Sequence, residues 1–291
     1  MGEETKTWRV LVATDGSAGA DRAVAAAVEM PWPDGSEVRV VSAVEATGWM
    51  PETSATLRAR AEAAVATARA KLEKIGRRAS SGVLLGSPSR VILDTASDWH
   101  ADVVVVGSRG LGAVRGLLIG SVSSAVARAA TCSVLVVKGN LGKPLNAVMA
   151  VDGSGDARRA AERLASLRAP GNAVTVVRVI EPMRVATLGV LPKGIAGAIR
   201  AEVGRATAEM KAGAQRDTRA VAAIFRQAGW KTREAVRAGA PSVEIIALAR
   251  RSGAQLAGVG PRGVTRIEQI LLGSVTDRLL FASGISVFIG R

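Results

Sequence analysis

The chain has 291 residues, enough for two ordinary domains, and 48% of them are hydrophobic, which excludes a disordered chain. Its single cysteine, Cys132, excludes an intrachain disulfide and a thiolate metal cluster, and no run reaches the roughly 18 uninterrupted apolar residues that a spanning helix needs. A formal net charge of +14 favours encounter with polyanions, nucleotides included, but the basic residues are scattered and aromatics are scarce, so neither a specific nucleic-acid surface nor a membrane partner is expected.

The first residues, Met1 to Trp8, carry acidic charge and no apolar signal core, so the expectation is a cytoplasmic protein. Trp8 to Thr14 reads as a strand, closed by Asp15-Gly16-Ser17, a turn that also supplies a cap for a helix from about Ala18 to Met30. Glu37 to Val44 is a second strand, and Ser54 to Ile75 a long helix with apolar and charged stripes, ended by Gly76. Val83 to Leu85 is the centre of a third strand, followed by Gly86-Ser87-Pro88 and a helix to about Trp99. His100, the only histidine, has no second imidazole with which to hold a metal. Val103 to Val106, an unbroken β-branched run ending in Gly107, reads as a strand buried on both faces of a parallel sheet. A loop, a helix from Ser121 to Ala130 and a fifth strand from Ser133 to Lys138 complete the unit. Strands alternating with helices imply a parallel sheet covered on both sides.

Gly139 to Pro144 reads as a linker, after which the pattern begins again. Asp152-Gly153-Ser154 repeats Asp15-Gly16-Ser17 at an offset of 137, whereas Gly239-Ala240-Pro241 repeats Gly86-Ser87-Pro88 at an offset of 153, so the second half carries sixteen extra residues between them. They fall around Glu181 to Asp217, as a longer loop and helix or as a lid. The domains are expected at 1–140 and 141–291.

Gly107-x2-Gly110-x9-Gly120-Ser121 recurs as Gly260-x2-Gly263-x9-Gly273-Ser274. Each copy runs from the end of a strand into the start of a helix, where free N–H groups and the positive end of the dipole face an anion. A carboxylate at the end of the first strand suits hydroxyl or amino donors and repels phosphates, which places Asp15 at the nucleoside end of any such ligand. The repeated pattern resembles the ATP-binding motif of the universal stress protein family. The resemblance covers nearly the whole chain and implies two tandem five-stranded parallel-sheet α/β domains, Rossmann-like and similar to adenine nucleotide alpha hydrolases. It further implies that the domains pair through their last strands as an intramolecular pseudo-dimer.

By the same resemblance, the nucleoside side is Ala13, Asp15 and Ala43 in the first repeat and Ala150, Asp152 and Val179 in the second. The phosphate side is Gly107, Gly110, Gly120, Ser121 and Ser123, with Gly260, Gly263, Gly273, Ser274 and Thr276 as counterparts. The bland alternatives are helix capping for the aspartates and serines, turn geometry for the glycines, and solvent exposure for Arg109 and Arg262. The implied ligand is ATP, with or without Mg²⁺, and the implied role is regulatory or in the stress response, through nucleotide-dependent conformation or a protein partner. A weak ATPase or nucleotidyl-transfer enzyme and a nonspecific nucleic-acid binder are the alternatives. The P-loop pattern with its lysine is absent from the sequence, as are paired carboxylates beside the loop, so binding is favoured over turnover. Pro261 in place of Ser108 removes a backbone donor, which predicts a weaker second repeat. The chain is expected as a monomeric pseudo-dimer or a homodimer.

Overall fold

The computed structural model describes residues 7–45, 51–111, 119–167, 169–182, 193–262 and 272–291. In the first repeat the elements are β1 (Arg9–Ala13), α1 (Ala18–Glu29), β2 (Glu37–Val44), α2 (Pro51–Glu73), β3 (Arg78–Leu85), α3 (Pro88–Asp98), β4 (Val103–Gly107), α4 (Ser121–Ala129) and β5 (Ser133–Val137). The second repeat runs β6 (Asn146–Ala150), α5 (Gly155–Ala165), β7 (Ala173–Ile180), α6 (Lys193–Gln227), β8 (Lys231–Ala238), α7 (Pro241–Ser252), β9 (Leu256–Val259), α8 (Ser274–Ala282) and β10 (Ser286–Ile289).

All ten strands lie in one sheet, in the order β3-β2-β1-β4-β5-β10-β9-β6-β7-β8. Every neighbouring pair is parallel except β5 and β10, which run antiparallel with Phe288 opposite Leu135. In each half the chain works outward from the first strand and then returns to its other side, so β1 lies beside β4, and β6 beside β9. The order reverses at those two places, and sheets of this kind receive ligands beyond the carboxyl ends of the strands at such points.

Alternation along the strands divides the interior into two layers. Val10, Val12, Leu135, Met149 and Phe288 face α1, α2, α5 and α6, whereas Leu11, Val104, Val136, Val148 and Val287 face α3, α4, α7 and α8. Both layers cross from one repeat into the other. Leu141, inside the expected linker, is 2% exposed and belongs to the first layer, so the connection is packed against the domains.

Two boundaries move for identifiable reasons. β3 extends from Arg78, well before the apolar Val83-Leu84-Leu85, because its first half is held by pairing with β2 (Arg78 opposite Glu37) at an edge where polar side chains face solvent. Much of the extra length in the second half is helix, since α6 has 35 residues against 23 in α2. Residues 183–192, within the expected insertion, lie outside the described residues.

The seam between β5 and β10 is reciprocal. Ser286 Oγ accepts from Lys138 N (3.1 Å), and Ser133 Oγ from Arg291 N (3.2 Å). The Lys138 ammonium donates to the carbonyls of Leu279 (3.1 Å), Leu280 (2.6 Å) and Ser283 (2.7 Å) at the end of α8. The Arg291 guanidinium donates to Ala127 O (2.6 Å) and Cys132 O (3.1 Å) at the end of α4. Each helix that follows a glycine loop thus has its terminal carbonyls satisfied by a cation from the other repeat. An Arg128–Asp277 ion pair joins the two helices directly.

Candidate functional site

Asp15 stands just beyond β1, where Thr14 N still donates to Val41 O (2.9 Å). One carboxylate oxygen, Oδ1, accepts from Ser17 N (3.0 Å), and Ser17 Oγ in turn accepts from Ala20 N (3.2 Å) as the cap of α1. The second repeat copies this, with Ser154 N to Asp152 Oδ1 at 2.9 Å and Ala157 N to Ser154 Oγ at 3.1 Å. The caps are therefore the serines. Each aspartate spends one oxygen holding its cap in place.

The other oxygen of Asp15 meets the glycine loop. Leu111 N donates to Asp15 Oδ2 (2.9 Å), across 96 residues of chain, and a Cβ on Gly110 would collide with that same oxygen. Gly110 thus permits close approach to a carboxylate. Gly107 permits something different: a Cβ there would lie 2.9 Å from Ala20 N and strike the Gly19 carbonyl, so this glycine lets the first turn of α1 settle on β4. Gly260 does the same for α5, where a Cβ would lie 3.0 Å from Ala157 N. Gly263 lies outside the described residues.

At the far end of the loop, Gly120 N donates to Ser108 O (2.6 Å), and Gly273 N to Pro261 O (2.9 Å). The N-caps of α4 and α8 are Gly120 and Gly273, not Ser121 and Ser274, which are the first helical residues and exposed. This corrects the expectation of serine caps, and it has a chemical consequence. No side chain caps either helix, so the amides of Ser121, Val122 and Ser123, and of Ser274, Val275 and Thr276, have no partner among the described residues. The hydroxyls of Ser123 and Thr276 are buried and turned to the loop backbone, Ser123 Oγ donating to Ser108 O (3.0 Å) and Thr276 Oγ1 to Gly260 O (2.8 Å). They brace the loop from beneath.

Ala13, Ala43, Ala150 and Val179 are partly buried at their strand ends and pack on the second core layer. Arg109 is exposed, and Arg262 approaches Asp156 at 4.0 Å. Ser108 N donates to Val137 O (2.8 Å), so the donor that Pro261 lacks is one that ties the loop to the sheet, not one aimed at a ligand. The repeats differ more visibly elsewhere. An ion pair between Arg178 of β7 and Asp217 of α6 lies against Gly153. Beside the corresponding Gly16 of the first repeat there is a cleft of about 320 Å³ between α1 and α2. A wider cleft of about 460 Å³ opens at the amino ends of β1, β2 and β3, the end at which parallel sheets do not collect ligands.

Two doubly wound repeats sharing one sheet, each with a carboxylate beyond its first strand and a glycine-capped helix beyond its fourth, define a tandem α/β protein. The chain belongs to the universal stress protein family, whose model matches residues 7–138 and 145–291. A universal stress protein of Thermus aquaticus, found in a QAH/OAS sulfhydrylase 3′ region, is 36% identical over 133 residues, 44% of this chain and 97% of the relative. YxiE of Bacillus subtilis is 28% identical over 145 residues, 45% of this chain and 98% of the relative. Relatives of that size correspond to one repeat. A universal stress protein of Archaeoglobus fulgidus has the same fold over both repeats, with a TM-score of 0.68 at 20% identity, covering 97% of this chain and 98% of that one. PA1789 of Pseudomonas aeruginosa gives 0.61 at 16% identity, covering 98% and 92%. No described helix is long and apolar enough to cross a membrane.

Proposed function

We propose that the protein binds ATP or a related adenine nucleotide at the crevice between β1 and β4, and serves a regulatory or stress-response role through nucleotide-dependent loop conformation or the capture of a protein partner. The observation that carries this reading is the meeting of Asp15 with the glycine loop through Leu111 N–H, because it puts a donor-seeking carboxylate and a set of unpartnered helix amides at one mouth. A ribose hydroxyl or an adenine amino group would take the place of Leu111 N–H on Oδ2. Phosphates would be received by the amides of Ser121 to Ser123, with the helix dipole favouring their charge. Any Mg²⁺ arriving with ATP would rest mainly on the phosphates, since the described residues contain no group of three histidines, cysteines or carboxylates that could hold a metal.

In this reading Leu111 N–H is the internal competitor of the nucleotide. Occupancy releases the loop from Asp15, and the altered loop surface is what a partner would sense. Identification of small molecules carried through purification, together with the melting temperature at millimolar ATP and Mg²⁺, tests it. A co-purifying adenine nucleotide or an upward shift supports the proposal. A nucleotide-free protein whose melting is indifferent to ATP removes it.

A further inference from the structure

The cleft between α1 and α2 is lined by charged groups of which the nucleotide reading uses only Asp15. α2 places Arg60, Ala64, Thr67 and Lys71 along one face, opposite Asp21 of α1 and with Asp15 at the upper end. Gly16 and Ala64 approach closely beside the cleft, the position of a Cβ on Gly16 lying 3.4 Å from Ala64 Cβ. Elsewhere α2 pairs its charges one turn apart, Arg58 with Glu62 (2.9 Å) and Arg69 with Glu73 (3.1 Å). Along the cleft, among the described residues, no ion pair joins Asp15, Asp21, Arg60 and Lys71. Two carboxylates and two cations therefore face one opening of about 320 Å³ without neutralising each other.

The second repeat shows that this arrangement does not follow from the fold alone. α2 and α6 end alike, with Arg77 N donating to Leu72 O (3.1 Å) and Trp230 N to Phe225 O (2.9 Å), which aligns Ala64 with Asp217. There Asp217 reaches over Gly153 to Arg178 and fills the corresponding space. The same alignment puts Gly213 and Ile224 where the first repeat has Arg60 and Lys71, and Arg158 follows Asp152 as Asp21 follows Asp15. Of the four charges, only Asp15 has a counterpart in the second repeat, Asp152.

We infer that this groove is a second binding site, for a small phosphorylated molecule with free hydroxyls, either a sugar phosphate or the sugar-phosphate part of a nucleoside monophosphate. Arg60 and Lys71 supply charge-assisted donors for the phosphate, at positions about 16 Å apart on the helix axis that long side chains can bring inward. Asp15 and Asp21 accept from hydroxyls and repel phosphate, which orients the ligand. The volume suits a molecule at the small end of the range that protein pockets hold. This site shares only Asp15 with the nucleotide reading and does not rest on it.

Titration of the full chain with ribose 5-phosphate, AMP and inorganic phosphate tests the inference, using calorimetry for affinity and hydrogen exchange for location. Ribose 5-phosphate is expected to saturate below about 5 mM, to bind about tenfold more weakly to an Arg60→Glu, Lys71→Glu variant and to the milder Arg60→Gln, Lys71→Gln variant, and to protect residues 55–73. Binding of AMP alone assigns the ligand to a nucleotide, and binding of both organic phosphates to the shared sugar phosphate. No saturable binding of either, binding by inorganic phosphate just as tight, or affinity unchanged in both variants overturns the site. Protection confined to residues 119–129 also overturns it, while leaving the glycine-loop reading intact.

Discussion

Gly107 and Gly120 share one sequence pattern and do unlike work. Gly107 is a packing residue, and its replacement by alanine forces a methyl group against the backbone of α1 at Gly19 and Ala20. Neither neighbour can yield as a side chain end would, so Gly107→Ala is expected to lower stability by about 1–3 kcal/mol. Urea unfolding of the variant beside the wild-type protein measures this, and an unchanged midpoint would show that α1 can shift freely. Gly120 has room: a Cβ there would lie 3.5 Å from Ser108 O, an ordinary contact. Its importance is that glycine at an N-cap brings no oxygen of its own, which leaves the first-turn amides available. The sequence shows both glycines but not this division, because spacing alone does not reveal which backbone lies above each residue.

At the scale of the element, the two helices α4 and α8 are each held from behind by a cation just beyond the last strand of the opposite repeat. Lys138 is surrounded by carbonyls and a hydroxyl, with no carboxylate among its hydrogen-bond partners, and burial pushes its ammonium down to about 8 from the usual 10.5. Arg291 is lowered to about 10 by the same cause and remains charged near neutrality. For Lys138 the folded state releases its proton before the unfolded chain does. Between about pH 8 and 10.5 the unfolded chain thus binds more protons, and stability contributed through this residue rises with pH across that window, by about 3 kcal/mol. Below pH 8 the desolvation cost is present in full. Denaturant unfolding at pH 7 and pH 10 should show a smaller rise in Lys138→Met than in the wild-type protein, and parallel profiles would place the lysine in a solvent-like environment. Lys138 and Arg291 stand 153 residues apart, the offset of the two glycine motifs, so their pairing was available to a reading of the repeats. Their crossed partners were not, because which helix end each cation reaches depends on the antiparallel join of β5 and β10.

Across the whole molecule, the order of strands and helices is legible from β-branched runs, turn glycines and Ala-rich stripes, whereas the meeting of the last strands is carried by the family resemblance alone. The convergence of the first strand end with the glycine loop also follows, since both lie at the carboxyl ends of adjacent parallel strands. What escaped is what depends on long-range fit. The pairing that extends β3 from Arg78 has no apolar signature, Leu141 is buried inside an apparent linker, and Arg178 meets Asp217 only because the lengthened α6 sets that register. Both core layers cross the seam, and the helices on either side are tied by Arg128 and Asp277. The two repeats should therefore unfold together, as one calorimetric transition with equal calorimetric and van't Hoff enthalpies. Two resolved transitions would mean that the seam is a weak contact between independent domains.

On the proposed function, the uncapped amides at the entrances of α4 and α8 would receive nucleotide phosphates. Calorimetric titration of ATP into the wild-type protein and into a Gly120→Ser, Gly273→Ser variant addresses it most directly, since each serine would turn its own oxygen onto the amides in question. The expected result is saturable binding that weakens by about tenfold in the variant, while its folding stability is equal or a few tenths of a kcal/mol higher. Equal ATP affinity in the two proteins, or no saturable heat in either, would contradict the account.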